Sequence, residues 1–175
     1  SLHDALPIYK FENPSKYLGE QLKLRGLTIT TAESCTAGQI AEAIIASPGA
    51  SGYFKGGIVA YVDEVKENVL GVSGETLAQY TAVSESVAVE MAEGACRVLN
   101  TDFAISITGV AGPTGGTAEA PVGTIWIGYG AKGDIKTFKL DDDDGRDVNL
   151  SRATSKALRL MLEYLAEHML KAAGE

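Results

Sequence analysis

Hydrophobic and polar positions along the chain switch between two periods. Tyr17, Leu18, Leu22 and Leu24 recur at helical spacing after Asn13-Pro14-Ser15, and Gly26 stands where such a helix closes. Leu27–Thr31 reads as a strand, Thr36–Ile45 as a helix, and Pro48–Gly52 as a turn-rich loop. Gly57–Val62 reads as a buried strand, followed by short helical stretches over 64–70 and 75–80. Ser84 can cap a longer helix reaching Leu99, with Val83 as its hydrophobic staple. Phe103–Thr108 is an apolar run that opens into a glycine-rich loop, Gly109–Gly116. Val122–Gly130 and Ile135–Leu140 alternate like neighbouring strands around a turn at Lys132-Gly133-Asp134. From Arg146 to about Leu170 the helical period returns, with Leu158, Met161, Leu162, Leu165 and Met169 on one face. Strands separated by helices predict an α/β fold: one three-layer α/β/α domain with a central, mixed sheet.

Composition narrows the function classes. A chain of 175 residues suits a single domain. Its 45% apolar content is too high for a disordered chain. No run reaches the roughly 18 uncharged apolar residues of a membrane span. A net charge of -8 argues against a generic nucleic-acid binder, which needs a basic stripe. Cys35 and Cys96 stand alone, without metal-ligand spacing, and point to the cytoplasm. The histidines, His3 and His168, lie near the ends, so no internal histidine base is available for Ser-His-Asp or Cys-His chemistry. The chain begins at Ser1 with no methionine before Met91, so a fragment or processed form of a protein is expected.

Three stretches could carry chemistry, because ligands of open α/β sheets bind outside the carboxyl ends of strands. In Thr31-Ala-Glu-Ser-Cys-Thr-Ala-Gly38, Ser34, Cys35 and Thr36 could help hold an anion, or a nucleophile could stand on the turn; in the plainer reading Glu33, Ser34 and Thr36 cap the helix that follows. Between 51 and 66 stand Ser51, Tyr61 and Lys66. A lysine can replace histidine as the base of a serine nucleophile if its pKa is lowered; from the pattern alone, a surface lysine and a core tyrosine are the plainer reading. Thr108 and the glycines after it let backbone approach a ligand closely, or form an ordinary loop; the spacing is neither GxGxxG nor a P-loop. Asp141–Asp144 reads as a solvated acidic loop.

Together, Thr31–Gly38, Tyr61 with Lys66 and Leu70-Gly71-Val72, Ala82–Glu85, Ser106–Pro113 and Pro121–Thr124 resemble the CinA C-terminal domain family over roughly residues 17–168. The resemblance implies one domain over 14–175, with 1–13 outside the fold. It implies hydrolysis of the carboxamide of nicotinamide mononucleotide to nicotinic acid mononucleotide and ammonia, with no cofactor and no metal. A cytoplasmic homodimer is implied, with neither nucleic acid nor membrane as a partner. The family's nucleophile falls on Ser51, its tyrosine on Tyr61 and its lysine base on Lys66, with Ser34 or Cys35 as the variant nucleophile. Substrate contacts fall on Glu33, Ser34, Cys35, Thr36, Thr108, Gly109, Gly112 and Arg146. A nucleotide-binding or regulatory module without turnover is the alternative. Departures from the family pattern fall at Ala37, Val62, Asp63, Asp141–Asp144 and Leu150. Among these, Asp63 is expected to raise the pKa of Lys66.

Overall fold

The computed structural model describes residues 13–173, with side chains through 168. The expected extension 1–13, apart from Asn13, lies outside the described residues, as does the side chain of Met169, an expected apolar position. Helix α1 spans Pro14–Arg25. The Asn13 side chain accepts the Lys16 N–H, proline occupies the first turn, and Gly26 closes the helix at φ 64°. The Leu27 N–H reaches back to the Leu22 carbonyl at 3.0 Å, which completes a Schellman closure. That closure consumes Leu27, so β1 runs Ile29–Glu33, two residues later than the sequence pattern predicts.

Helix α2 is Gln39–Ile45, three residues shorter at its start than predicted. Ala37 and Gly38 have φ of 49° and 103°, a left-handed pair that no right-handed helix can contain. A 3₁₀ turn, Ala50–Gly52, leads into β2, Phe54–Val59. This strand starts earlier than predicted because Phe54 already pairs with Ile29, and an irregularity in register follows between Ile29 and Thr30. Helices α3 (Asp63–Asn68), α4 (Gly74–Tyr80) and α5 (Glu85–Leu99) follow, then strands β3 (Phe103–Gly109), β4 (Ile125–Ala131) and β5 (Asp134–Leu140), and finally helix α6 (Arg146–Ala173).

The five strands are ordered β2-β1-β3-β4-β5. β2, β1 and β3 are mutually parallel, whereas β4 and β5 are antiparallel, as the predicted hairpin requires. On one face Leu18, Leu22, Ile40, Ile44, Met161 and Leu165 of α1, α2 and α6 pack with Ile105 and Ile107. On the other, Val87, Met91 and Ala95 of α5 pack with Ala32 and Leu70, and Ala92 and Cys96 with Ala104. β3 is covered on both faces, which is why its apolar run is unbroken.

Two features of this frame position the site. The crossover from β1 leads outward to β2, while the next one returns across the sheet to β3. The loops leaving β1 and β3 therefore diverge and leave a crevice at their carboxyl ends. In addition, α5 lies tightly against the corner between α3 and α4. A Cβ at Gly94 would lie 1.8 Å from the Leu70 carbonyl oxygen, and Arg97 donates to that same oxygen at 2.9 Å.

Candidate active site

The loop after β1 is built around a buried carboxylate. Glu33 accepts the Thr36 hydroxyl at 2.6 Å and the Ile40 and Ala41 N–H groups at 2.9 and 3.0 Å. It thus satisfies the orphan donors of the first turn of α2 and favours the positive end of the helix dipole. Tied down in this way, the loop turns Ser34 and Cys35 into a cavity of about 300 Å³ at the β1/β3 crevice, while Glu33 and Thr36 do not line it. The Ser34 N–H donates to the Ile107 carbonyl at 3.0 Å, anchoring the serine to the next strand.

Lys66 enters the same cavity from α3. It is 1% exposed, yet among the described residues it meets no carboxylate in an ion pair. Its Nζ donates to Ser34 Oγ and to the Tyr61 carbonyl, both at 3.0 Å, and Ser34 Oγ donates to the same carbonyl at 3.4 Å. Burial pushes the Lys66 pKa below its usual 10.5, and the opposing pull of Asp63 and Cys35 is smaller. The expectation that Asp63 raises this pKa therefore holds as a minor contribution, which desolvation outweighs. The neighbouring Cys35 behaves oppositely: burial holds its thiol up at about 12, so it stays protonated at neutral pH. The serine therefore faces a lowered-pKa amine, and the cysteine beside it stays inert.

The far side of the cavity is formed by the loop after β3 and by the start of α6. Thr108, Gly109, Gly112 and Arg146 all line it, together with Ala82, Val83 and Asp63. Thr108 Oγ1 donates to the Ala82 carbonyl at 2.8 Å. Gly112 has φ 87°, and a Cβ there would lie 2.4 Å from Val122, so no larger residue fits. Arg146 donates to the Gly112 carbonyl at 2.8 Å, and Asn149 donates to the Ala111 carbonyl at 3.1 Å. Asn149 also donates to Asp143 and accepts the Asp144 N–H, both at 2.9 Å. Arg152 pairs with Asp144 and donates to the Asp142 carbonyl, and Asp141 pairs with Lys139. The acidic tract is thereby held along α6, and none of its four carboxylates lines the cavity. Leu150 is buried in the core.

The structure does not bring Ser51, the expected nucleophile, to the cavity that holds Lys66. Ser51 lies in the 3₁₀ turn before β2, at the amino end of a parallel strand whose carboxyl end leads to Lys66. About 20 Å of strand separates the two ends. Ser51 is exposed and does not line the cavity. Lys66 is brought instead to Ser34, and Tyr61 contributes its carbonyl while its side chain stays 61% exposed at the rim. Parallel pairing of β1 with β2 dictates this, since it places the residues after both strands at one end. Asn149 was not marked by any motif; its signal is a polar residue one turn into an otherwise amphipathic helix. Among the described residues, no three His, Cys, Asp or Glu side chains are disposed to hold a metal ion, and no helix is long and apolar enough to cross a membrane.

Fold and site together define an α/β protein in which a buried lysine meets a serine at a topological switch point. The model of the CinA C-terminal domain matches residues 12–165, and the chain belongs to that family. It is 44% identical over 155 residues to the nicotinamide-nucleotide amidohydrolase PncC of Shigella flexneri and to that of Escherichia coli K12, covering 88% of this chain and 94% of each relative. It is 46% identical to a putative competence-damage inducible protein of Halothermothrix orenii, but covers only 36% of that longer chain. A crystal structure of a CinA superfamily protein from Klebsiella pneumoniae superposes with a TM-score of 0.85 at 36% identity, over 90% of this chain and 98% of that one.

Proposed function

We propose that the protein is an amidohydrolase that converts nicotinamide mononucleotide and water to nicotinic acid mononucleotide and ammonia, with Ser34 as nucleophile and Lys66 as base. The single observation that carries this reading is the buried Lys66 Nζ, 3.0 Å from Ser34 Oγ, inside the cavity. The substrate class follows from the two amidohydrolase relatives, which this chain matches over nearly their whole length.

In the proposed mechanism neutral Lys66 takes the Ser34 proton as Oγ bonds to the carboxamide carbon. The Cys35 N–H, which follows the nucleophile and among the described residues donates to no backbone carbonyl, is the candidate donor to the resulting oxyanion. Collapse breaks the C–N bond. The leaving nitrogen takes a proton from Lys66 and departs as ammonia, leaving an ester on Ser34. Water, deprotonated by Lys66, then attacks that ester, and the acid leaves as Ser34 recovers its proton. Arg146 and the loop around Gly109–Gly112 would receive the phosphate end, since Arg146 spends one N–H on Gly112 and among the described residues its others meet no hydrogen-bond partner.

The test is ammonia release. Ser34→Ala and Lys66→Ala are expected to lose roughly 10³-fold or more in kcat, whereas Ser51→Ala retains full turnover. Undiminished turnover in Ser34→Ala would overturn the assignment. The two cysteines are free and buried, which supports a cytoplasmic setting. A homodimer belongs to the same reading: β2 is an edge strand, and Val59, Tyr61 and Val62 beside it are exposed apolar residues that a second copy would cover. Sedimentation is expected to give twice the 18.3 kDa chain mass.

A further inference from the structure

Asp63 is a carboxylate that the proposed mechanism does not use. It opens α3 and lines the cavity alongside Ser34 and Lys66. Among the described residues it has no hydrogen-bond or ion-pair partner. On α3 it stands three residues before Lys66, so the two side chains leave neighbouring points roughly 5–6 Å apart on one helix face. The other charged or titratable groups facing this space are Lys66 and Tyr61 on the same side, Cys35 after β1 and Arg146 on α6.

We propose that Asp63 is a specificity-determining residue that tells the amide substrate from the acid product. The proposal rests on the amidohydrolase reading above. Substrate and product differ at one group. The carboxamide is neutral and presents two N–H donors; the product presents a carboxylate in the same place. An unpaired carboxylate at the cavity wall accepts from the first and repels the second. Lys66 is a weak counterweight, since its burial disfavours the charged form. Asp63 is exposed, so the dielectric of water applies, and two like charges about 6 Å apart then lower affinity roughly three-fold. Asp63 thus biases the site toward the amide and speeds expulsion of the acid.

The experiment measures, by calorimetry, the dissociation constants of nicotinamide mononucleotide and nicotinic acid mononucleotide for Ser34→Ala, alone and combined with Asp63→Asn or Asp63→Glu. Ammonia release by the unaltered protein is followed in parallel. With Asp63→Asn the acid is expected to bind three-fold tighter or more while the amide binds no tighter. Asp63→Glu keeps the charge and is expected to keep the discrimination. If both ligands shift together, or neither shifts, Asp63 does not discriminate and the proposal fails while the amidohydrolase reading stands. If the unaltered protein releases no ammonia but the acid alone gains affinity in Asp63→Asn, discrimination by Asp63 stands and the amidohydrolase reading fails. If neither mononucleotide binds any variant, both fail.

Discussion

Lys66 shows how one side chain trades stability for chemistry. Its folded pKa lies below the unfolded value of 10.5, so the fold disfavours its charged form. The resulting penalty is fully present below the folded pKa and is relieved as pH rises from there to 10.5. Lys66→Met is therefore expected to abolish turnover while holding or raising the melting temperature at neutral pH, with the advantage over the parent shrinking as pH approaches 10.5. For the same reason kcat/KM is expected to rise with pH through an apparent pKa lower than that of an ordinary lysine, as the base becomes neutral. Cys35→Ala should leave ammonia release near the parent level, because a thiol held at about 12 supplies no thiolate at neutral pH. Ala37 is exposed and carries φ 49°, a region where Cβ is crowded. Ala37→Gly is expected to add about 0.5–1 kcal/mol, read as a rise of roughly 1–4 °C in Tm.

At the scale of elements, the tight seat of α5 decides where α3 can stand. Gly94→Ala puts a methyl group into the Leu70 carbonyl that Arg97 also holds. The corner must move, and with it the helix that carries Lys66. A loss of about 1–3 kcal/mol is expected by denaturant unfolding, together with a fall in kcat. Element type was legible in the sequence because period and capping agree: Asn13, Ser84 and Gly26 mark helix ends that the structure keeps. Boundaries moved where backbone geometry prevails over pattern, at the left-handed Ala37-Gly38 pair and at the Leu27 closure. Lys66 was legible as a base candidate from residue type and helix position. Its partner was not, since Ser34 and Ser51 stand equally well in a list of loops. Only the parallel pairing of β1 with β2, a long-range property, separates the end that holds Ser34 from the end that holds Ser51.

The whole molecule carries a net charge of -8, yet the proposed ligand is itself an anion. Local groups resolve the conflict at contact, since Arg146 and the backbone of the glycine loop face the cavity and the acidic tract does not. Contact is only the last stage of an encounter. At distances beyond a Debye length of about 8 Å in physiological salt, the approaching anion meets the summed field of the molecule rather than Arg146. The tethering of Asp141–Asp144 by Asn149 and Arg152 of α6 and Lys139 of β5 fixes the place of those charges without neutralising them all. Capture of the proposed ligand is therefore expected to run against a repelling potential. Moderate added salt is expected to quicken association in stopped-flow measurements, the reverse of what an attractive, steered encounter would show.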